Sequence, residues 1–410
     1  MIASARDLIG LGSLAAIAIA TLCACGSSSM GGTGGASSSA SSAGSGGFVG
    51  TGGAGGDTMS TSGTGGGGLT QPYVYVGTYG NLVHVFRLSL VDGSLTPAGA
   101  PVDAGTNPSF LAVDPGHSTL FAVNEDGGGK GAVASFHIDT TTGGLTFVSR
   151  VSSQGDGPAH VSTDKSGTFA LVANYGGGTV AVLPVGPGGV LSDAVDVHDH
   201  GSGANPHQIF TDVSNTHAFV PNKGKDMVTQ YGFDVFTGKL TDHGTLTVTP
   251  GSGPRHLDLH PKAPYAYLVN ELGSTIVALA YDKAAGTLTE LQTLSTLPAG
   301  FQGANTCAEV QVSPSGKFVY ASNRGHDSIA IFAVQPDGKL TLVGHQPTMG
   351  KTPRHFHLDQ TGQILVVANM DSDSVVTFHA HPETGLLTPT GTSVQVHAPS
   401  YAGVVFVVIP

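Results

Sequence analysis

The sequence predicts an all-β fold in which seven similar four-stranded sheets form a ring. A unit of about fifty residues recurs seven times along the chain. Each unit consists of short strands with alternating apolar and polar residues, separated by turns rich in Gly and Ser. No segment has a convincing helical period. A repeat of this length built from short strands is typical of a β-propeller, in which each unit forms one blade.

The repeat is defined by one position where a unit begins and another where its second strand ends. The first is occupied by Pro or Cys, and the seven opening residues are Pro108, Pro158, Pro206, Pro254, Cys307, Pro353 and Pro399. The second is occupied by Asn or Thr, and the seven closing residues are Thr78, Asn124, Asn174, Asn222, Asn270, Asn323 and Asn369. Seven openings and seven closings predict seven blades.

One unit illustrates the predicted order of strands. Residues 158–163 alternate as a first strand, and the Asp-x-x-Gly sequence at 164–167 predicts a hairpin turn into a second strand at 168–174. A third strand is predicted at 179–185 and a fourth, at the edge, at 190–197.

The two ends of the repeat each hold only part of a unit. Residues 401–409 form a single strand, whereas residues 73–79 begin with the second type of strand. We therefore expect residues 399–409 to be the innermost strand of a blade whose outer three strands are residues 73–100. Such pairing would close the ring and cover its exposed strand edges.

Composition excludes several classes of protein. The formal net charge is −12, with 16 Lys and Arg against 28 Asp and Glu, and a nucleic-acid partner would require a basic surface. The chain has no Trp, which excludes the WD type of propeller repeat.

Residues 1–25 predict a lipoprotein-type signal segment. Arg6 precedes an apolar run at 8–22, which is too short for a convincing membrane-spanning helix, and Cys25 is the expected lipidated residue. Ordinary signal cleavage is the alternative. We expect an exported protein, anchored by lipid in the bacterial cell envelope and otherwise without contact with the membrane.

The remaining chain divides into two parts. Residues 26–70 are almost entirely Gly, Ser, Ala and Thr, so they predict a disordered linker that cannot bury a core. Residues 71–410 contain the repeats and predict the seven-bladed domain.

The predicted ring brings polar residues to one mouth of its central channel. The inner strands begin at this mouth, and their first residues include His160, His207, Arg255, His256, Glu309, Arg354 and His355. Glu271 and Arg324 directly follow closing Asn residues, and the hairpin topology returns them to the same mouth. Several Arg residues on an acidic protein indicate an anionic ligand. A neutral His could deprotonate water and an Arg could stabilise an oxyanion, which suits hydrolysis of an anionic ester or lactone.

Other interpretations of these residues remain open. Inner-strand His and Arg residues can simply hydrogen-bond to neighbouring blades. Three pairs of His have the spacing that places both on one face of a strand, but no third ligand follows at a spacing diagnostic of a metal site. We therefore expect no metal and no cofactor. Cys307 is expected to be a small packed residue rather than a nucleophile.

Several segments resemble the seven-bladed propeller lactonases. These are residues 308–332, NPHQ at 205–208, GPRHLDLHP at 253–261, VNEL at 269–272 and PRHF at 353–356. The family includes the propeller type of bacterial 6-phosphogluconolactonase and is related to the fungal carboxy-cis,cis-muconate lactonizing enzyme. The resemblance covers about residues 73–410.

The resemblance implies a cofactor-independent lactonase with a small anionic lactone as its substrate. It implies that His207 is the general base and that Arg255 and Arg324 bind the anionic substrate or the oxyanion. Glu271 would orient His207 or an Arg, or act as a second acid or base. The residues expected to contact the substrate are His160, His256, Glu309, Arg354 and His355.

Two further functions are compatible with the sequence. The first is a non-enzymatic cell-surface propeller that binds an anionic ligand or a protein partner. The second is a lactonizing or isomerising enzyme that works in the reverse direction. The sequence identifies neither the lactone nor the oligomeric state.

Overall fold

A computed structural model describes residues 70–409 of the chain. The expected signal segment, its Cys25 and nearly all of the expected linker lie outside the described residues. Within the described part, no helix is long and apolar enough to cross a membrane.

The described residues form strands and three short 3-10 helices. In chain order, the first blades comprise β1 (Thr70–Thr78), β2 (Leu82–Leu88), β3 (Leu95–Pro97), β4 (Val102–Asp103), then β5 (Leu111–Val113), β6 (Thr119–Asn124), β7 (Ala132–Ile138), β8 (Leu145–Ser152), and β9 (Pro158–Thr163), β10 (Phe169–Asn174), β11 (Thr179–Pro184), β12 (Asp196–Asp199). The next two comprise β13 (Phe210–Thr211), β14 (His217–Asn222), β15 (Met227–Phe233), β16 (Leu240–Thr247), and β17 (Pro254–Leu259), β18 (Tyr265–Asn270), β19 (Thr275–Asp282), β20 (Thr287–Ser295). The last comprise β21 (Thr306–Val312), β22 (Phe318–Arg324), β23 (Ser328–Val334), β24 (Leu340–Pro347), β25 (Pro353–Leu358), β26 (Ile364–Asn369), β27 (Ser374–Ala380), β28 (Leu387–Gln395) and β29 (Pro399–Val408). The 3-10 helices span Pro187–Gly189, Lys223–Lys225 and Met370–Ser372.

The strands form seven antiparallel sheets, which confirms the predicted seven-bladed all-β fold. We number the blades 1 to 7 in chain order, beginning with the sheet that contains β1. Blades 2 to 7 each take four consecutive strands, beginning at β5, β9, β13, β17, β21 and β25.

Blade 1 joins the two ends of the described chain. β29 pairs antiparallel with β1 from Thr70 opposite Val408 to Thr78 opposite Pro399. The order of this sheet is β29, β1, β2 and β3, with the short β4 also paired to β2. The last strand of the chain is therefore the innermost strand of the first blade, and the predicted ring closure is confirmed.

The opening and closing residues of the repeat are cross-strand partners. Pro254 lies opposite Asn270, and Pro353 lies opposite Asn369. The same pairing occurs at Pro158, Pro206, Cys307 and Pro399. In these six blades the opening residue thus lies opposite the end of the second strand, and both positions lie at the same end of the channel.

A β-bulge follows the opening residue in the inner strands. In blade 5, Pro254 pairs with Asn270 but His256 pairs with Val269, so Arg255 has no partner on the second strand. In blade 7, Arg354 is the additional residue in the same way. Bulges of this kind redirect a side chain and are common next to functional sites.

The hydrophobic core lies between neighbouring blades. Seven clusters of buried apolar side chains are present, and each combines residues from two adjacent blades. The cluster between blades 5 and 6, for example, contains Tyr267 and Val269 together with Val319 and Phe332, all of them fully buried. Each blade is therefore stabilised by its two neighbours.

Polar side chains connect the inner strands to one another. Adjacent inner strands do not pair, so their backbone N–H groups need other acceptors. Six N–H groups in the inner strands or directly beside them donate to a side chain of the preceding blade, and the pairs are Ile209 with His160 (3.5 Å), Leu257 with Gln208 (2.7 Å), Val312 with Asp258 (2.8 Å), Leu358 with Gln311 (3.0 Å), Ala402 with His355 (3.3 Å) and Val404 with His357 (3.2 Å). Many polar residues of the channel therefore have a structural role.

Candidate active site

Two positions of every blade supply the side chains at the mouth of the channel. The first directly follows the opening Pro or Cys, and its ionisable residues are His207, Arg255 and Arg354. The second directly follows the closing Asn or Thr, and its seven residues are Tyr79, Glu125, Tyr175, Lys223, Glu271, Arg324 and Met370.

Glu271 is the shared counter-ion of three basic side chains from three blades. Its Oε2 atom lies 3.0 Å from Nε of Arg255 and 3.2 Å from Nη2 of Arg324. Its Oε1 atom lies 2.7 Å from Nζ of Lys223. Only 11% of the Glu271 side chain is exposed. One carboxylate therefore holds two guanidinium groups and one ammonium group in fixed positions.

The two arginines are also held by the inner strand of blade 6. Arg255 donates to the carbonyl oxygen of Ala308 at 2.5 Å, and Arg324 donates to that of Cys307 at 2.8 Å. Burial, together with the charges of Arg324 and Arg354, lowers the pKa of Arg255 to about 9. Arg255 is therefore still protonated at neutral pH.

The electrostatics of Glu271 make it a poor general acid or base. Burial opposes its ionisation, but the charges of Arg255 and Arg324 outweigh this effect and lower its pKa to about 2. The ion-pair partners of its carboxylate in the described chain are basic side chains and do not include His207. Of the roles expected for Glu271, orientation of the arginines fits this geometry.

His207 lies next to this group of charges. It is buried, and its ring packs edge-on against those of His256, at 5.1 Å between centroids, and Tyr175, at 5.4 Å. Burial and the charges of Arg255, His256 and Arg354 lower its pKa well below 6.5. The imidazole is thus neutral at pH 7, which is the form that a general base requires.

Lys223 and Tyr175 extend the site on the side of His207. Lys223 donates to the Tyr175 hydroxyl at 3.1 Å, and its ammonium lies 5.4 Å from the centroid of the Tyr175 ring. Lys223 is thereby fixed between Tyr175 and Glu271. This arrangement links blades 3, 4 and 5 at the mouth.

Arg354 lies at the junction of blades 7 and 1. It donates a hydrogen bond to the Tyr79 hydroxyl, and its guanidinium carbon lies 4.9 Å from the centroid of the Tyr79 ring. Within residues 70–409, Arg354 forms no ion pair with a carboxylate, in contrast to Arg255 and Arg324. Its charge therefore remains available to a ligand.

The other four predicted substrate contacts lie beneath this mouth. They are one residue further along their strands than the bulged position, and all are almost fully buried: His160, His256, Glu309 and His355. Glu309 accepts a hydrogen bond from His256 at 2.9 Å and lies 3.4 Å from His355. Phe110 fills the centre of the cluster, 4.3 Å from the ring of His160.

These contacts separate the nine predicted residues into two layers. Burial raises the pKa of Glu309 and lowers that of His256, so both favour their neutral forms. The lower layer contacts itself and neighbouring strands. Its contact with a substrate stays a prediction, whereas the upper layer, with His207, Arg255, Glu271, Arg324 and Arg354, is the candidate site.

The contacts of the other residues considered from the sequence indicate structural roles. Cys307 is fully buried, and burial raises its pKa to about 12, which does not suit a nucleophile at neutral pH. His198 pairs with Asp196, and His200 accepts or donates a hydrogen bond with the Tyr231 hydroxyl. Among residues 70–409, no group of three or more His, Cys, Asp or Glu side chains is arranged to hold a metal ion.

Sequence reasoning missed four residues of the mouth, although a rule already in use would have found them. Glu271 and Arg324 were selected because each follows a closing Asn. The same rule selects Tyr79, Glu125, Tyr175 and Lys223. With these residues, the mouth contains four basic side chains, Arg255, Arg324, Arg354 and Lys223, against two carboxylates, Glu125 and Glu271. The excess of positive charge contrasts with the acidic protein as a whole.

Comparison with known proteins identifies the family. The family described as "Lactonase, 7-bladed beta-propeller" matches residues 73–406. The chain belongs to this family. It is 36% identical over 344 residues to the 6-phosphogluconolactonase of Bacillus subtilis, covering 81% of this chain and 97% of that relative. It is 35% identical to the 6-phosphogluconolactonase of Pectobacterium carotovorum, covering 78% of this chain and 94% of that relative.

A solved structure agrees with this assignment. The periplasmic gluconolactonase of Pseudomonas aeruginosa is 33% identical, with a TM-score of 0.76, over 83% of this chain and all of that one. The resemblance to the propeller lactonases is therefore confirmed at the level of the family.

Proposed function

We propose that this propeller lactonase hydrolyses a small anionic lactone at the mouth of its channel. The observation that carries this proposal is the neutral, buried His207 near the guanidinium group of Arg255, which Glu271 holds in place together with that of Arg324. A base next to fixed donors is the arrangement that attack of water on a carbonyl requires. The lactone-hydrolysing names of the relatives support the same class of reaction.

The proposed reaction begins when water attacks the lactone carbonyl carbon. His207 takes one proton from this water, and the carbonyl oxygen becomes an oxyanion stabilised by Arg255 and Arg324. The intermediate then collapses, the bond between the carbonyl carbon and the ring oxygen breaks, and the imidazolium of His207 returns the proton to the leaving alkoxide. The products are a hydroxyl group and a carboxylic acid on one open chain, and the acid then loses its remaining proton to water to become a carboxylate.

An anionic substrate would also improve His207 as a base. The charges of Arg255 and Arg354 contribute to the low pKa of His207 in the free protein. A bound anion compensates these charges, so the pKa of His207 rises towards the range in which proton transfer from water is more favourable. Substrate charge and catalysis are thus coupled through the arginines.

The test compares the wild-type protein with His207→Ala and Arg255→Ala on a panel of sugar-acid and aromatic lactones. We expect kcat to fall at least about a hundredfold in both variants, since each removes one component of the proposed chemistry. Circular dichroism and melting temperature control for folding. Equal turnover by all three proteins would exclude this assignment of the site. Absence of turnover by the wild type on every lactone would favour a non-enzymatic binding protein.

We also propose that the protein is exported and lipid-anchored through Cys25. The apolar run at 8–22, the cysteine that follows it and the Gly/Ser-rich segment at 26–70 support this location. The Pseudomonas aeruginosa relative is described as periplasmic. The wild-type protein should incorporate labelled fatty acid, and the Cys25→Ala variant should not. Equal incorporation by the variant would contradict lipidation at Cys25.

A further inference from the structure

A cavity of about 600 Å³ opens at the mouth between blades 7 and 1. Arg354 and Tyr79 form its inner wall, and Asp371, Asp373 and His397 contribute to its outer part. The proposed reaction does not use this cavity. It lies on the side of the mouth away from Lys223 and Tyr175, and its Arg354 is close enough to affect the electrostatics of both His207 and Arg255.

The inner wall offers a guanidinium group that carries an uncompensated charge. Arg354 uses one donor on the Tyr79 hydroxyl, which also fixes the plane of the group over the aromatic ring. Burial raises the pKa of Tyr79 to about 12, so the phenol is neutral and does not compensate the charge. The remaining N–H groups can form the two parallel hydrogen bonds that a carboxylate accepts.

The outer part of the cavity carries the opposite charge. Asp371 accepts a hydrogen bond from the Thr352 hydroxyl at 2.5 Å. Asp373 accepts the backbone N–H of Ala398 at 2.7 Å and pairs with His397 at 3.2 Å, and the bond from Ala398 lowers its pKa. Both carboxylates belong to exposed residues. They can accept hydrogen bonds from sugar hydroxyl groups, but they repel further negative charge.

We propose that this cavity binds the free carboxylate and hydroxyl groups of a sugar-acid lactone and discriminates against phosphorylated lactones. Arg354 binds the carboxylate, and Asp371 and Asp373 accept hydrogen bonds from neighbouring hydroxyl groups. A phosphate monoester carries a charge of about −1.5 to −2 at pH 7. The carboxylates of Asp371 and Asp373 would therefore repel a phosphate group more strongly than a singly charged carboxylate. This inference rests on the proposed function and specifies the class of its substrate.

The experiment measures kcat and KM of the full-length protein on three lactones that differ in charge. Saccharic acid 1,4-lactone has one free carboxylate, glucono-1,5-lactone has none, and 6-phosphogluconolactone has a phosphate. For the wild type, we expect the highest kcat/KM on the carboxylate lactone. Arg354→Gln should raise KM for this lactone at least about tenfold, the effect of losing a charged hydrogen-bonded pair, and lower its kcat/KM at least about fivefold more than that of the neutral lactone.

A second variant tests the outer wall. Asp371→Asn with Asp373→Asn should raise kcat/KM on 6-phosphogluconolactone about fivefold, because two repulsive interactions at the surface are removed. The kcat/KM on the neutral lactone should not rise, because this lactone carries no charge for the two aspartates to repel. Arg87→Gln, at an exposed position of β2, removes one positive charge elsewhere and should leave all three substrates unchanged.

The outcomes separate this inference from the proposed function. A wild type that prefers the phosphorylated lactone, or an Arg354→Gln variant that loses activity equally on all three, would overturn the assignment of the cavity. If the wild type turns over no lactone, calorimetry with the open-chain saccharate gives an independent answer. If saccharate then binds to the wild type but not to Arg354→Gln, the cavity binds a carboxylate although the hydrolytic function is wrong. If saccharate does not bind to the wild type, both proposals are wrong.

Discussion

The candidate site depends on the balance of charge around individual side chains. Glu271 carries one negative charge and pairs with three positively charged side chains, those of Arg255, Arg324 and Lys223. Positive charge is therefore in excess in this group. These positive charges keep the pKa of Glu271 low, while burial together with the charges of Arg255, His256 and Arg354 keeps that of His207 low. The same charges that attract an anionic lactone therefore keep His207 in its neutral form.

The low pKa of His207 predicts an unusual pH profile. A histidine with an ordinary pKa would lose half of its base form at pH 6.5, whereas burial and neighbouring cations shift this loss well below that pH. We expect kcat/KM, which reports the free enzyme, to remain constant from pH 7.5 to below pH 6.5. Stopped assays with a carboxylate lactone across this range would measure it. A titration with its midpoint near pH 6.5 would contradict the assignment of His207 as the base.

Glu271→Gln should destabilise the protein, since it leaves three basic side chains without their counter-ion. The lowering of the Glu271 pKa from 4.5 to about 2 corresponds to about 3 kcal/mol of stability. Because the folded-state pKa is depressed, this contribution is present above pH 4.5 and is lost as the pH falls towards 2. Urea unfolding should therefore show a difference of about 3 kcal/mol at pH 7 that shrinks to about 1 kcal/mol at pH 3.

The exposed Glu290 provides the matched control for this prediction. Glu290→Gln removes the same charge from a position outside the mouth, and its unfolding free energy should stay within about 0.5 kcal/mol of the wild type. A Glu271→Gln variant as stable as this control would show that the ion pairs at the mouth contribute no net stability.

Strands and hairpins determine which side chains reach the mouth. The bulge after the opening residue leaves Arg255 and Arg354 without cross-strand partners, and the side chains one position later point into the buried cluster beneath. A shift of one residue in an inner strand therefore separates a side chain of the charged group at the mouth from one of the cluster beneath it. This is why sequence spacing alone placed His207 and His256 in the same predicted site.

The edge strands were predicted less well than the inner ones. In blade 3, the fourth strand was expected at residues 190–197, whereas β12 spans Asp196–Asp199. The short helix Pro187–Gly189 and the isolated pairing of Val185 with Leu191 occupy the intervening chain. Edge strands are half exposed, so their sequences carry a weaker pattern of alternation than strands buried on both faces.

The turn between the first and second strands of a blade depends on one side chain. In blade 7, Asp359 accepts the backbone N–H groups of Thr361 (2.9 Å), Gln363 (2.7 Å) and Ile364 (2.7 Å) while fully buried. Asp359→Ala should lower the unfolding free energy by about 2–4 kcal/mol, because these N–H groups lose a charged acceptor. Chemical denaturation would measure this loss.

Blade 6 suggests the control for this hairpin. Ser313 occupies the equivalent position and accepts the N–H of Phe318 at 3.1 Å. Asp359→Ser should therefore restore part of the stability that Asp359→Ala loses. Equal losses in the two variants would indicate that the hairpin does not depend on this acceptor.

The ring as a whole is closed by backbone pairing between β29 and β1. Deletion of residues 399–410 would expose the edge of β1 and remove one side of the cores that blade 1 shares with its neighbours. We expect a large fall in melting temperature, or failure to fold, since no blade is stable without both neighbours. Deletion of residues 409–410 alone, beyond the end of β29, is the control. A truncated protein that melts with the wild type would contradict closure by this strand.

The number of blades, the hairpins and the closure of the ring could be predicted because their signals are local. Alternation along 158–163, the Asp-x-x-Gly turn at 164–167 and the opening Pro residues each specify the structure of a few neighbouring residues. The incomplete units at the two ends then leave only one way to complete a blade. The mouth followed from this topology, and with it the positions of His207, Arg255, Glu271 and Arg324.

The pairing of side chains across blades required the folded ring. Lys223, Glu271 and Arg324 lie about fifty residues apart in the chain. Only the packing of three successive blades brings Lys223 to 2.7 Å and Arg324 to 3.2 Å from the Glu271 carboxylate. The division between His207 at the mouth and His256 in the cluster beneath, and the absence of an ion pair at Arg354 among residues 70–409, likewise depend on bulges and on neighbours from other blades. Periodicity specifies which residues reach one end of the channel, but distances between blades decide which of them interact.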